Sequence, residues 1–291
     1  MTRLPARPDV LGFFDPATHT VTYVVSDPAT NAAIIIDPVL DYDPATARTS
    51  TASVERVLDV LAARGLRLER ILETHAHADH LTGADNIRTR TGAPIGIGDR
   101  IAHVQKTFGD LFHAVDVTPD GAVFDETYAD GARFMLGSIP VEVLHTPGHT
   151  PACVSYRIGD AVFVGDTLFM PDFGTARCDF PGGDACALYR SIQRILSLPD
   201  DTRVFVGHDY LPEGRTEFHW ETTVAAQKND NIHIGGGCSE SAFVALREAR
   251  DATLKAPQLI LPALQVNIRA GALPPSEASG KRFIKLPLNS V

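Results

Sequence analysis

Short apolar runs separated by polar turns follow one another along the first two thirds of the chain. Runs rich in β-branched residues predict strands, and the clearest is Ile34-Ile35-Ile36. A hairpin turn is indicated by Gly159-Asp160, which stands between two such runs. The strands predicted in this way cover residues 20–26, 32–37, 70–74, 138–144, 153–158, 161–164 and 203–206. The pattern favours strands first, then mixed strands and helices, with no internal repeat.

Apolar residues at helical spacing predict helices between these strands. The helices cover residues 53–64, 81–91 and 184–198, and a partly helical insertion is predicted over 99–130. Ser53 is the predicted N-terminal cap of the first helix, and Gly65 its end. Asp184 is the predicted cap of the third.

After about residue 221 the character of the sequence changes. A glycine-rich hinge, 235–237, is followed by one predicted helix over 239–254 and then by a proline-rich tail. Within that tail, the run 267–271 is predicted to be strand-like. We interpret residues 1–220 as one domain and residues 221–291 as an extension that packs on it.

The composition is that of an ordinary globular protein, with 44% hydrophobic and 21% charged residues. A net charge of −10 disfavours nucleic-acid binding, because phosphate contacts need clustered Lys and Arg. No apolar run approaches the ~20 residues needed to cross a bilayer, and Met1–Val10 lacks the apolar core of a signal peptide. The four scattered cysteines suit free thiols in a reducing compartment. The sequence therefore predicts a cytoplasmic protein without nucleic-acid or membrane partners.

The strongest chemical signal is the run 74–80, which contains His75, His77, Asp79 and His80. Two histidines two residues apart on an extended segment point the same way, so both can reach one ion. Asp79 and His80 then face a neighbouring position. Since imidazole and carboxylate ligands together suit zinc or iron, the run predicts a metal centre.

Three further ligand-type residues each follow a predicted strand: His149, Asp166 and His208. Functional groups gather where the strands of an open sheet end, so these three are predicted to join the run 74–80 in one site. A single histidine after a strand is usually structural, but four strand ends with metal-binding chemistry favour a shared site. The other six histidines lack such a context and are predicted to be structural: His19, His103, His113, His145, His219 and His233.

With these motifs the sequence resembles the metallo-β-lactamase superfamily over roughly residues 10 to 220. The resemblance implies an α+β fold, the αββα sandwich, in which two sheets lie face to face with helices outside and metal at one edge. The fold alone does not fix the reaction, since thioester, lactone and phosphoester hydrolysis and persulfide oxidation all occur on it.

Several runs are similar to one branch, the persulfide dioxygenases or ETHE1-like sulfur dioxygenases. They are THAHADHLTGA at 74–84, GHTPACV at 148–154, GTARCDF at 174–180, LYRSI at 188–192 and PALQVNIRAG at 262–271. The likeness extends over nearly the whole chain. The sequence is most similar to bacterial members of this branch with a longer C-terminus, some of which are called β-lactamase-like hydrolases.

In that branch two histidines and one aspartate hold one Fe(II), and the matching residues here are His75, His149 and Asp166. Such a site leaves positions open for a substrate sulfur and O₂. The residues implied to surround and orient the ligands are His77, Asp79, His80, His208 and Tyr210.

The branch oxidises glutathione persulfide with O₂ to sulfite and glutathione. The resemblance implies that Arg177 holds a carboxylate of glutathione and that Arg269 closes the pocket. Glutathione is anionic and the protein is acidic, so binding needs local positive groups of this kind.

A second reading is a glyoxalase II-type thioesterase with two metal ions, zinc among them, because every ligand for a second metal is present. The single helix predicted in the tail argues against it, since that family carries a substrate domain of several helices. A non-catalytic metal-binding module is a third class, which the intact ligand set disfavours. The sequence leaves the oligomeric state open, with a homodimer as one candidate.

Overall fold

Two six-stranded sheets lie face to face and account for the recurring short apolar runs. The structure is a computed structural model that describes residues 7–289, so the first six residues of the segment Met1–Val10 lie outside it. The strands are β1 (Asp9–Phe14), β2 (Val21–Ser26), β3 (Ala32–Ile36), β4 (Val39–Asp43), β5 (Arg48–Ser50), β6 (Arg67–Leu72), β7 (Leu81–Thr82), β8 (Ile95–Gly98), β9 (Glu126–Tyr128), β10 (Arg133–Leu136), β11 (Ile139–His145), β12 (Val154–Ile158), β13 (Ala161–Phe163), β14 (Arg203–Phe205) and β15 (Glu221–Thr223). The first sheet has the strand order β1-β2-β3-β6-β8-β9, the second has the order β10-β11-β12-β13-β14-β15, and a small third sheet has the order β5-β4-β7.

Helices cover the outer face of each sheet. They are α1 (Ala52–Arg64), α2 (Ala84–Thr91), α3 (Ile101–Phe112), α4 (Ala185–Leu196), α5 (Val224–Asp230), α6 (Glu240–Asp251) and α7 (Ile260–Asn267). Helices α1 to α3 pack on the first sheet, where Val57 and Phe108 share a core with Ile71. Helix α4 packs on the second sheet, where Ile192 meets Val204. No helix in the described part of the chain is long and apolar enough to cross a membrane.

A third core lies between the two sheets and binds them together. It is built from alternate residues of facing strands, among them Tyr23 and Ile34 from the first sheet and Tyr156 and Phe163 from the second. Two packed sheets with helices on both outer faces are the αββα sandwich, so the predicted α+β fold is confirmed.

Two local predictions in the first half are wrong. Helix α1 begins after Thr51, and the hydroxyl of Ser53 donates to Asp41 at 2.7 Å instead of capping the helix. The run predicted as helix from Leu81 starts as strand β7, because Leu81 and Thr82 pair with β4 and the helix begins only at Ala84. The predicted cap Asp184 is confirmed, since its carboxylate accepts from the backbone N–H of Ala187.

The segment after residue 221 is more helical than predicted. It carries α5, α6 and α7, where one helix was expected, and the run 267–271 continues from the end of α7 in turns rather than as a strand. The argument that a one-helix tail disfavours a thioesterase therefore fails. The insertion at 99–130 contains α3 and β9, as a partly helical segment should.

A buried carboxylate ties the two sheets together at Asp27, just after β2. Its oxygens accept from the Ser138 N–H at 2.7 Å, the Ser138 hydroxyl at 2.8 Å and the Ala29 N–H at 2.9 Å. Ser138 belongs to the turn between β10 and β11 of the other sheet. Burial by itself raises the pKa of Asp27, but these hydrogen bonds outweigh it and lower the pKa from 3.8 to about 2.

We expect Asp27→Asn to lower the free energy of unfolding at pH 7 by about 1–3 kcal/mol, because the amide nitrogen cannot accept the hydrogen bonds that a carboxylate oxygen accepts there. Because the folded-state pKa is the lower one, this stabilisation is present above pH ~4 and disappears as the pH falls towards ~2. Urea unfolding of both proteins at several pH values measures it. Asp43→Asn is the control, since that carboxylate is exposed and caps only its own turn; equal losses in both variants would contradict the prediction.

Candidate metal centre

The histidine run 75–80 lies in an irregular loop between strands β6 and β7. The side chains of His75, His77 and His80 are buried, and neighbouring ring centroids lie 4.0 Å and 4.2 Å apart. Strand β6 enters this loop between two parallel neighbours, β3 and β8. The histidines therefore stand at the end of an interior strand of the first sheet.

Asp166 reaches the same place from the second sheet, just after β13. Gly165 before it has φ +49°, and a Cβ at that position would lie 2.5 Å from the hydroxyl oxygen of Thr74. Glycine is therefore needed for the two strand ends to approach each other. The opposing ends bring ligand-type side chains from both sheets into one site.

His75, His149 and Asp166 form the first ligand group. Their nearest side-chain nitrogen or oxygen atoms all lie within 4.8 Å of one another. The Asp166 Oδ2 atom is 3.6 Å from Nε2 of His149 and 3.9 Å from Nε2 of His75. Distances of this size between ligand atoms suit a shared ion of the kind that two imidazoles and one carboxylate hold.

Hydrogen bonds fix which nitrogen of each imidazole faces the centre. The Thr74 hydroxyl donates to Asp37, so it accepts from Nδ1–H of His75 at 2.9 Å. The Nδ1–H of His149 donates to the backbone oxygen of Arg177 at 2.9 Å. Nε2 of both rings is therefore left with its lone pair turned inward, the form that binds metal.

Several buried polar atoms in the site have no hydrogen-bond partner within the described residues. They are Nε2 of His75, Nδ1 of His77, Nε2 of His80 and Oδ1 of Asp166. Leaving such atoms without a partner costs ~1–3 kcal/mol each, so a cation that uses them fits the chemistry of the site. Burial and the imidazoles of His77 and His149 lower the pKa of His75 well below its ordinary value, which keeps this ring neutral.

His77, Asp79 and His80 form a second ligand group. His208 lies between the two groups, with Nε2 at 3.4 Å from Asp79 and 3.3 Å from Asp166. All seven residues predicted from strand ends are thus brought together, and they supply donors for one metal ion or for two.

Two carboxylates behind His77 were missed in the sequence. Nε2 of His77 lies 3.0 Å from Asp37 and 3.4 Å from Glu73. Burial raises the pKa of Glu73 to about 7. Both acids directly follow buried strands, β3 and β6, which is the same signal that identified Asp166.

A cavity of about 470 Å³ opens from the centre to the surface. Asp79, His149 and Asp166 form its buried end, and Tyr210 also lines it. Arg269 does not line it. The residue is 8% exposed, and its guanidinium donates two hydrogen bonds of 2.7 Å to Asp116, so these contacts lend no support to the prediction that Arg269 closes the pocket.

The predicted substrate contact Arg177 does line the cavity, but its guanidinium already has partners. Nε and Nη2 each lie 2.5 Å from a carboxylate oxygen of Asp179, and Nη1 donates to the backbone oxygen of Lys255. Two arginines of α6, Arg247 and Arg250, also line the cavity and were missed.

The C-terminal extension holds the loop that carries Arg177. Asn231 donates to the backbone oxygen of Gly174 at 3.0 Å, and the Thr175 N–H donates to His233 at the same distance. The buried Arg247 donates to the backbone oxygen of Thr175, also at 3.0 Å. Since Arg177 in turn fixes His149, this extension supports the metal site indirectly.

Comparison with known proteins agrees with this geometry. The sequence pattern of the metallo-beta-lactamase superfamily matches residues 15–208. The chain belongs to the metallo-β-lactamase superfamily. A probable metallo-hydrolase of Burkholderia pseudomallei is 50% identical over 97% of this chain and 99% of its own length. The chain spans only 65% of the length of the beta-lactamase hydrolase-like proteins of Xylella fastidiosa and Agrobacterium fabrum, to which it is 51–52% identical.

Two other relatives have names that point to different reactions. Glyoxylase B2 of Dictyostelium discoideum is 48% identical over 91% of this chain and 92% of its own. The human mitochondrial persulfide dioxygenase ETHE1 is 30% identical over 90% of this chain and 89% of its own length. The crystal structure of ETHE1 from Myxococcus xanthus superposes with a TM-score of 0.72 at 32% identity, covering 91% of this chain and 100% of that one. These matches support the ETHE1-like branch of the superfamily.

Proposed function

We propose that this superfamily member is a persulfide dioxygenase that oxidises glutathione persulfide with O₂ at one Fe(II) ion. The observation that carries the proposal is the group His75, His149 and Asp166, whose ligand atoms lie within 4.8 Å of one another and of which His149 and Asp166 line the buried end of an open cavity. Two imidazoles and one carboxylate on one face of the ion are the ligand set of non-haem iron oxygenases. This set leaves coordination positions on the other side of the ion free. The ETHE1 relatives support the same choice.

The reaction balances as persulfide plus O₂ plus water giving thiol, sulfite and protons. The S–S bond breaks, the terminal sulfur loses four electrons, and O₂ accepts them. Iron, when bound, would supply a site where sulfur and O₂ meet and exchange electrons.

The chain's own residues would orient the ligands and shape the cavity around the substrate. Thr74 and the backbone oxygen of Arg177 hold the two ligand imidazoles in one tautomer. Phe169 and Phe173 give the cavity an apolar wall that limits water near the reacting sulfur. Nε2 of His208 lies 3.4 Å from Asp79 and 3.3 Å from Asp166 and would limit the orientations that both carboxylates can take.

A thioesterase with two metal ions remains the second candidate, because specific observations favour it. His77, Asp79 and His80 form a complete second ligand group, and the tail carries several helices. A close relative also bears the name glyoxylase B2. In such an enzyme the two ions, when bound, would supply activation of water for attack on a carbonyl, and O₂ would play no part.

Oxygen dependence separates the two candidates. Protein purified without oxygen and loaded with Fe(II) should hold about one iron per chain and should form sulfite from glutathione persulfide only when O₂ is present. Sulfite and O₂ uptake are measured together, with Asp166→Asn as the control for reactions of loose iron. Two tightly held zinc ions per chain, with anaerobic hydrolysis of lactoylglutathione, would replace the dioxygenase by the thioesterase.

A further inference from the structure

We propose that Arg250 is the anchor for a carboxylate of the thiol substrate, an inference that rests on the proposed function. Three arginines line the cavity that ends at the metal centre: Arg177, Arg247 and Arg250. An anionic substrate in a protein with a net charge of −10 needs a positive group whose hydrogen bonds are still available. The three guanidinium groups differ in this respect.

Arg177 and Arg247 are committed to the fold. Arg177 forms a two-pronged ion pair with Asp179 and donates to the backbone of Lys255. Arg247 is 1% exposed, and its Nε donates to Asp251 at 2.9 Å. A substrate carboxylate would have to displace a protein carboxylate from either of them, which gives little net gain.

Arg250 has no such partner among the residues that the structure describes. Its side chain is exposed, and within the described residues no carboxylate lies in ion-pair distance of its guanidinium. It lies three residues after Arg247 on α6, so both face the same side of the helix and the same cavity. Because Arg250 is exposed whereas His149 and Asp166 are buried, Arg250 stands at the mouth of the cavity and the ligand group at its inner end.

This arrangement suits a substrate that is charged at one end and carries sulfur at the other. Leu254, Pro257 and Leu259, which follow α6 in sequence, add apolar side chains to the lining of the same cavity. A guanidinium at the mouth would hold the carboxylate with two parallel hydrogen bonds while the sulfur points inward. Arg250 would thereby select anionic thiol derivatives such as glutathione over neutral ones.

Binding without turnover tests the proposal separately from the reaction. Titration calorimetry with S-methylglutathione, which has no persulfide sulfur, should show at least roughly tenfold weaker binding to Arg250→Gln than to the unmodified iron-loaded protein. Arg250→Lys should retain part of the affinity, because it keeps the charge but loses the two-pronged geometry. Arg133→Gln is the matched control, since Arg133 is an exposed arginine of β10 that pairs with Glu142 outside the cavity.

A second ligand identifies the group that is held. If Arg250 binds the glycyl carboxylate, S-methylglutathione esterified there should bind both proteins equally; if the penalty persists, the γ-glutamyl carboxylate is the one held. Unchanged affinity in Arg250→Gln would overturn the proposal, and so would a loss confined to Arg177→Gln. Absence of binding to the unmodified protein would overturn it too. None of these results alters the oxygen-dependence test, so failure of the anchor is distinguishable from failure of the function.

Discussion

Replacing any one residue of the group His75, His149 and Asp166 should abolish both metal retention and turnover. His75→Ala and His149→Ala each remove an inward-facing nitrogen, and Asp166→Asn removes the negative charge nearest to both. A three-residue site loses a large part of its binding energy with one ligand, whereas changes to surrounding residues cost ~10–100-fold in affinity. Metal analysis of the purified variants, together with sulfite formation, measures the effect.

The matched control is His103→Ala, the same substitution at an exposed histidine of α3. It should keep the full metal content and activity. Thermal unfolding of the metal-free proteins shows whether a ligand variant lost its metal or its fold. Full iron occupancy in any of the three ligand variants would refute that residue's assignment.

The sequence predicted that these ligand-type residues lie together because they obey a simple rule of sheet structure. His149, Asp166 and His208 each stand just after a strand whose residues are almost all apolar, and such strands are recognisable from composition. The ends of these strands converge at one edge of the sandwich, so residues far apart in sequence become neighbours. The same rule also applies to Asp37 and Glu73, which were overlooked because single acids after strands are common.

Helix α7 could not be recognised, because its sequence lacks the polar face that marks a surface helix. Its residues Ile260 to Asn267 are buried on nearly every side, packed between α3 and strand β7. A helix that is buried on all sides shows no amphipathic period in its sequence. Pro262 in the first turn of α7 also argued against a helix, because proline usually breaks helices. The prediction of a single helix in the tail was wrong for this reason.

The role predicted for Arg269 rests on its charge alone, and the contacts of this side chain do not support it. A positive charge in the tail suggested a contact with an anionic substrate, but the fold itself supplies the anion, Asp116. The pairing joins residues 153 positions apart, which no local pattern reveals. Arg250 could not be singled out from the sequence either. What sets it apart from Arg177 and Arg247 is the lack of a carboxylate partner within the described structure, and no local pattern shows this.

Asn267, at the end of α7, holds the histidine loop through its side-chain amide. Nδ2 donates to the backbone oxygen of His77 at 2.7 Å and to that of His80 at 2.8 Å, while Oδ1 accepts from the Thr82 N–H at 2.9 Å. Asn267 is 3% exposed, so water cannot easily replace these bonds. We expect Asn267→Ala to lower the free energy of unfolding by about 2–4 kcal/mol and to weaken metal binding by ~10–100-fold.

A second variant and a control separate positioning of the loop from general destabilisation. Asn267→Asp keeps an acceptor for Thr82 but cannot donate to the two carbonyl oxygens, so it should also weaken metal binding. Gln265→Ala removes a buried amide of the same helix that bonds Leu261 and Lys285 and does not contact the histidine loop. It should reduce stability while leaving metal affinity unchanged. If metal titrations give Asn267→Ala the same affinity as the unmodified protein, Asn267 supports only the fold, and the histidine loop holds its geometry without it.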